Sequence, residues 1–415
     1  MQSLRRIAAY IVLTSVYGLT WLAAAVGAVL PRRPWKPNGR IIVTGTFHNP
    51  NWFVSHVMPL VRSGAQELIL VVDEPQLPLE RVRFVCPPRW AAKLLSRAGA
   101  KAIWMILAGV RYRPDLYMGY HLAPGACTAL VVGKLLGRPA CYQMTGGPVE
   151  VIGGGVGAAE SVGSLLGRPS GLIESMALSV VRSFDLVVVR GSKARDFLMD
   201  HGVRGAIGVI TGSVQNGSRL PEGERDIHLV FTGRLAPVKQ VHQFIAVVEE
   251  VSRTIPSVRA AVVGDGPLME DMVAMAERRG VSRNITFLGK REDVDSILAR
   301  SKVFVLTSQS EGLSIALAEA MAAGVVPVVA DVGELGDLVV NGVNGYLISP
   351  NCVPEYVEMA VTLLNDRGEW ERLSRSAAEA ARERCGLDVI ARKWQEHLRG
   401  VIDAAADVGP QEVMN

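Results

Sequence analysis

The chain has 415 residues, 49% hydrophobic and 20% charged. That is too long for one ordinary core and too apolar for a disordered chain, so two domains are expected. The formal net charge of +4 hides a division: residues 1–220 carry 24 Lys and Arg against 11 Asp and Glu, and residues 221–415 carry 20 against 29. A basic front half therefore precedes an acidic back half, which suggests two bodies with different neighbours.

Residues 7–30 form a run of 24 without a charge. A helix that long spans the ~30 Å core of a bilayer, and no second run of this kind exists, which excludes a polytopic membrane protein. Arg5 and Arg6 precede the run, while Arg32, Arg33, Lys36 and Arg40 follow it with Trp35 among them. This bias predicts a membrane anchor with the rest of the chain on the cytoplasmic side. A cleaved signal peptide or a helix lying on the membrane are the rival readings. Five cysteines (Cys86, Cys127, Cys141, Cys352, Cys385), widely spaced and without a C-x-x-C, argue against a disulfide framework and for a reducing compartment.

After prolines 31, 34 and 37 the pattern becomes strand–loop–helix. Strands are predicted at 40–44, 68–72, 81–85, 116–120, 140–144 and 186–189. The rhythm repeats at 227–232, 259–263, 285–288, 303–306 and 325–329. Short apolar strands alternating with helices predict parallel sheets covered on both faces. Two doubly wound units follow, divided near 217–224, a polar stretch with two glycines and a proline. Ligands of such units bind beyond the carboxyl ends of the strands, and the natural site of a two-unit protein is the cleft between them.

Arg89, Lys93, Arg97 and Lys101 recur every four residues, so on one continuous helix they make a basic stripe suited to an anionic membrane surface. A solvated helix face is the plainer reading. Residues 145–167 hold eight glycines in 23 positions and are expected to be a mobile loop rather than a strand or helix. Thr145, Gly146 and Gly147 at its start are candidates for ordering on an acceptor.

Three segments carry candidate chemistry. Residues 231–239 (FTGRLAPVK) place Gly233, Arg234 and Lys239 on a loop after a strand, where two cations suit a diphosphate. Residues 263–267 (VGDGP) place Gly264 and Gly266 where backbone can approach a ligand. Residues 308–324 (SQSEGLSIALAEAMAAG) follow a strand. There Ser314 is placed to cap the helix 315–323, and Gly324 to end it. Glu311 before that helix and Glu319 within it are carboxylates able to accept hydrogen bonds from sugar hydroxyls. Each segment also has a plain structural reading, as surface charge, a tight turn or a core helix.

Together these segments resemble the nucleotide-sugar-binding half of a GT-B glycosyltransferase of the large retaining family 4 (group 1). The resemblance runs over residues 227–350 through GRLAPVK, VVGDGP, ITFLGKREDV, the E-x7-E of Glu311 and Glu319, and GELGDLVVNGVNGYLISP. It implies that Arg234 and Lys239 bind the donor diphosphate. It also implies that Glu311 faces the donor sugar, that Glu319 holds the ribose, and that backbone at Gly312, Leu313 and Ser314 cradles phosphate and sugar. The stretch from Gly289 and Lys290 would border the base. Gln240 stands where the family usually has glycine, with little effect expected on the charge contacts. Residues 113–121 resemble the family's strand that ends in a catalytic-site histidine, here His121. The family's early Gly-Gly loop is absent; residues 45–51 (GTFHNPN) take its place, leaving Gly45 and His48 as candidates.

The resemblance implies an α/β GT-B fold of two Rossmann-like domains facing across a cleft. The expected division is an anchor at 1–37, an acceptor-side domain at 38–218, a nucleotide-sugar domain at 219–387 and a C-terminal crossover helix and tail at 388–415. The expected reaction moves a sugar from a UDP- or GDP-sugar to a lipid-linked or envelope-polysaccharide acceptor, without cofactor or essential metal and without a nucleic-acid partner. Asp293 and Asp295 spell D-x-D but fall at the start of a predicted helix, where capping or surface charge is the expected role. The alternatives are a GT-B sugar-nucleotide epimerase, a non-catalytic GT-B scaffold and a secreted solute-binding protein.

Overall fold

The computed structural model describes residues 2–31, 39–47, 50–158, 161–214 and 223–406. Residues 32–38 and His48 lie outside them, as does most of the predicted 217–224 boundary. The chain forms two compact units, residues 1–211 with 390–415, and residues 212–389.

The first unit contains α1 (Gln2–Ala28), β1 (Arg40–Thr44), α2 (Pro50–Arg62), β2 (Glu67–Val71), β3 (Val82–Val85), α3 (Arg89–Tyr112) and β4 (Leu116–Tyr120). It continues through α4 (Cys127–Leu135), β5 (Ala140–Met144), α5 (Gly171–Val181), β6 (Leu186–Val189), α6 (Ser192–Asp200) and β7 (Ala206–Val209). The sheet order is β3-β2-β1-β4-β5-β6-β7, and every pairing is parallel. Ile41 and Val43 join one core with α2, while Ile42 joins another with α3 and α4. Both faces are covered, so the inner strands read as unbroken apolar runs.

The second unit contains β8 (Ile227–Thr232), α7 (Val241–Thr254), β9 (Ala260–Val263), α8 (Met269–Arg278), β10 (Ile285–Gly289), α9 (Val294–Ala299) and β11 (Ser301–Leu306). It continues through α10 (Ile315–Ala322), β12 (Val326–Ala330), β13 (Tyr346–Ile348), α11 (Val353–Asn365) and α12 (Arg367–Cys385). Its sheet is also wholly parallel, in the order β10-β9-β8-β11-β12-β13. The two strands that sequence pattern passes over, β7 and β13, are edge strands of three or four residues, too short to show a periodic signal. All five cysteines are free.

Two expectations change. The segment 145–167 is not a plain loop. It is built from 3-10 turns at Gly147–Glu150, Ile152–Gly154 and Gly163–Leu166, with Val151, Leu166 and Glu150 buried. The basic stripe is broken, because Ser96 lies at φ 67°, ψ 162° inside α3. The helix restarts there, so Arg89 and Lys93 do not align with Arg97 and Lys101 as the spacing predicts. Of the two roles expected for Asp293 the structure shows surface charge: it pairs with Arg291 at 2.8 Å and does not cap α9 with its side chain.

Helix α1 is long and apolar enough to cross a membrane by length and composition. It is also docked on the first unit. Ala9, Leu13, Tyr17 and Ala24 are buried, and its neighbours are α4 and α5. Gly27 permits this approach, since a Cβ there would stand 2.5 Å from the Lys134 Cβ.

The last helix, α13 (Leu387–Ala406), joins the first unit from Ile390 onward, and its Ile390, Trp394 and Leu398 enter the core containing α2. Trp394 is 2% exposed. Trp394→Ala leaves a cavity there, and we expect a loss of about 3–5 kcal/mol, read as an earlier urea transition of the full chain.

Candidate functional site

In the second unit the candidate side chains gather at the carboxyl edge of the sheet. The loop after β8 carries Gly233, Arg234 and Lys239, and the loop after β11 carries Glu311. Three hydrogen bonds hold these loops together. The Thr307 hydroxyl donates to the carbonyls of Lys239 and Gln240 at 3.2 and 3.0 Å, and the Gln309 N–H donates to the Val238 carbonyl at 2.8 Å. Lys239 Nζ then meets Glu311 Oε1 at 2.5 Å, and the Ser308 hydroxyl donates to the same oxygen at 2.5 Å. The Lys239 side chain is 21% exposed and the Glu311 side chain 9%, so the pair is partly desolvated and stronger than a surface ion pair. Arg234 is exposed on the same loop. Gln240 takes φ 46°, ψ 44°, the left-handed region that explains a glycine preference at this position.

Ser314 caps α10, its Oγ accepting from the Leu317 N–H at 3.3 Å. Gly324, at φ 70°, closes the helix. Gly312 and Leu313 form the turn before it, and Glu319 lies within it. Burial pushes the Glu319 carboxyl up to about 7, with the Asp295 charge adding to the effect. A ligand hydroxyl donating to Glu319 would favour its ionised form.

Backbone crowding accounts for several glycines of the motifs. A Cβ on Gly264 would stand 1.9 Å from the Gly233 carbonyl oxygen, and one on Gly266 2.4 Å from that of Leu235. Gly333, at φ 53°, leaves no room either, since a Cβ would stand 1.8 Å from the Glu311 carbonyl oxygen. Gly289 has φ 64° at the end of β10, and Lys290 after it is exposed. Among the described residues no group of three His, Cys, Asp or Glu is placed to hold a metal ion.

In the first unit the carboxyl edge holds a cavity of about 570 Å³ lined by Gly45, Lys101, His121, Gly146 and Glu150, with Leu13 and Tyr17 of α1 in its wall. Thr145 is adjacent, its hydroxyl 3.1 Å from His121 Nδ1. Gly147, at φ 72°, opens the first 3-10 turn and is not part of the lining. Lys101 is turned inward. Its ammonium donates to Asp73 at 2.8 Å, the Gly45 carbonyl at 3.3 Å and the Thr46 hydroxyl at 3.2 Å.

Sequence reasoning missed Glu150. Its carboxylate is the meeting point of this site, with a side chain 5% exposed. It accepts from the Gly146 N–H (2.5 Å), the Tyr142 hydroxyl (2.7 Å) and the Leu122 N–H (3.2 Å), and it faces His121 Nδ1 at 3.2 Å. His121 is held at φ 58°, ψ 145°, a strained backbone for a non-glycine residue. In the same turn Gly125 admits no side chain, since a Cβ there would stand 2.4 Å from the Tyr120 carbonyl oxygen. Burial lowers the proton affinity of His121, but the Glu150 charge and hydrogen bond outweigh it, and the pKa is raised. Burial acts upward on Glu150, yet His121, Tyr142 and the Gly146 N–H hold its carboxyl below the ordinary value. The only sequence signal for Glu150 was its place inside a glycine-rich segment.

Two predictions follow from these environments. In Glu150→Gln the imidazole loses its counter-charge while burial remains, so the His121 midpoint in an NMR titration falls. In the second unit, the folded pKa of Glu319 lies above its unfolded value, so the native state binds the extra proton between about pH 4.5 and 7 and loses stability as pH rises through that window. Denaturant titrations across that window should lose about 2–3 kcal/mol in the wild type, and Glu319→Gln should remove most of that slope.

Residues 216–384 match the family described as "Glycosyl transferases group 1". Glycogen synthase of Mycobacterium tuberculosis (strain CDC 1551 / Oshkosh) is 29% identical over 153 residues, covering 36% of this chain and 37% of that protein. The UDP-Gal:alpha-D-GlcNAc-diphosphoundecaprenol alpha-1,3-galactosyltransferase of Escherichia coli is 32% identical over 143 residues, covering 33% and 37%. The chain thus spans less than half the length of these curated relatives. Among solved structures, Anabaena Alr3699/HepE in complex with UDP-glucose superposes with a TM-score of 0.67 at 17% identity, covering 89% of this chain and all of that one. The likeness is one of fold, two parallel α/β domains of the GT-B class with an added N-terminal apolar helix. The sequence likeness to the group 1 glycosyl transferases thus extends over residues 216–384, less than half of the chain.

Proposed function

We propose that the protein is a retaining glycosyltransferase that moves a sugar from a UDP- or GDP-sugar to a hydroxyl of a lipid-linked or envelope-polysaccharide acceptor. The observation that carries this reading is the Lys239–Glu311 pair at the edge of the second sheet, beside the Ser314-capped helix. The names of the relatives support it, since the Escherichia coli protein is named for a UDP-sugar donor and a diphosphoundecaprenol-linked acceptor.

In this reading the Lys239 ammonium, the Arg234 guanidinium and the N–H groups at the start of α10 stabilise charge as it develops on the leaving diphosphate. Lys239 is already held by Glu311, so it is positioned before the donor arrives and little reorganisation is needed. Glu311 faces the sugar, Glu319 accepts from the ribose hydroxyls, and Gly264 and Gly266 keep the neighbouring strand ends low. His121, oriented by Glu150, is available to a substrate hydroxyl at the edge of the first unit. A diphosphate oxygen takes the acceptor proton, so the reaction needs no strong protein base and no metal. The apolar α1 and the basic first half associate the protein with a membrane, with both units on its cytoplasmic side.

Thermal melts with a panel of UDP-, GDP- and ADP-sugars test the donor site. One donor class should raise Tm by several degrees, and Lys239→Ala should abolish the shift at the same ligand concentration. No shift with any member would remove the reading.

A further inference from the structure

The N-terminal helix does more than attach the chain. Its inner stripe is buried along most of its length, with Ala9, Leu13, Tyr17 and Ala24 packed in a core that includes α4 and α5. Its other faces are apolar and open, with Ile7, Ile11, Leu19 and Trp21 exposed. A helix bound along its length to a folded unit cannot cross a bilayer alone without drawing α4 and α5 into the hydrocarbon. It can lie in the interfacial plane, where apolar side chains reach the acyl boundary and charged ones stay at the headgroups.

Helix α3 offers the same chemistry. It packs on α4 as α1 does, and it exposes Ile103, Ile106, Leu107 and Val110, the i, i+3, i+4, i+7 positions of one face. Before the break at Ser96 it exposes Trp90 (63%) and Leu94 (76%). Exposed Arg5 and Arg6 on α1 and Arg89, Lys93 and Arg97 on α3 supply cations for an anionic headgroup layer. The break in α3 ends the basic stripe expected from spacing, yet it leaves Arg97 at the cavity.

That cavity ties the two helices to the site. Leu13 and Tyr17 of α1 and Arg97, Ala98 and Lys101 of α3 line the same space as His121. Its two acids are engaged, Asp73 by Lys101 and Glu150 by His121, which leaves the Arg97 guanidinium for a ligand. We infer that α1 lies flat on the membrane rather than across it and, with α3, frames a cavity that receives the phosphate-bearing head of a lipid acceptor while its chain stays in the bilayer. This rests on the glycosyltransferase reading for the word acceptor, but the topology and the lipid pocket are tested without activity.

The first test uses the full chain with an N-terminal and a C-terminal tag, inserted in sealed vesicles of phosphatidylglycerol and phosphatidylethanolamine. Protease added outside should remove both tags. An N-terminal tag protected while the C-terminal tag is lost would show a spanning helix and overturn the inference. The second test measures binding of dodecyl phosphate by calorimetry against inorganic phosphate and dodecanol. Dodecyl phosphate should bind at least tenfold more tightly than either. Ala98→Trp, which fills the cavity, and Arg97→Glu should each weaken it about tenfold or more, while nucleotide-sugar stabilisation of the second unit stays unchanged and reports that the variants fold. Equal binding of inorganic phosphate or dodecanol, or an Ala98→Trp variant that folds and binds normally, would refute the lipid pocket. Loss of nucleotide-sugar binding in the wild type would instead fault the donor reading.

Discussion

Every strand pair in both sheets is parallel, so all the strands of a unit end at one edge and each chain return crosses a covered face. At that edge, loops are freed from pairing and can present side chains. In the second unit it holds Lys239, Glu311 and the start of α10; in the first it holds His121, Glu150 and the cavity between them and α1. The faces of the sheets are spent on packing, and the chemistry has nowhere else to go.

The two edges manage charge differently. In the second unit a cation and a carboxylate neutralise each other at 2.5 Å, so Lys239 is held in place before any ligand binds. In the first unit one carboxylate is buried and satisfied by hydroxyl, backbone and imidazole donors, which fixes a turn that would otherwise relax. An isolated buried carboxylate would be costly. Glu150 is tolerated because its partners converge on it, and the strain at His121 is offset by the same contacts. The opposite net charges of the chain's two halves fit this contrast, with the basic half carrying the exposed cations of α1 and α3.

Most of the fold was legible because buried parallel strands are apolar runs of four to six residues, and runs such as 40–44 and 140–144 coincide with β1 and β5. The short edge strands β7 and β13 were not, since they lack a buried second face. Lys239 and Glu311 were singled out through motif order, and the structure brings them together across 72 positions of sequence. Glu150 was hidden because a carboxylate in a glycine-rich stretch has no periodicity; its donors come from β5, the turn after β4 and the start of its own segment. The break at Ser96 was hidden because a serine gives no sign of positive φ. Gly264 and Gly266 drew attention as possible ligand contacts, and backbone crowding is a sufficient reason for both.

The central claim is that this chain passes a sugar from a nucleotide to a lipid-borne acceptor. The direct measurement incubates the full chain with radiolabelled UDP- or GDP-hexoses and bacterial membrane lipid extract, then separates water-soluble nucleotide sugar from butanol-extractable lipid. The account predicts label in the lipid fraction with one donor class, dependent on added lipid and lost in Glu311→Ala. Label that leaves the nucleotide only as free sugar, or that stays on the nucleotide with every donor, would contradict it.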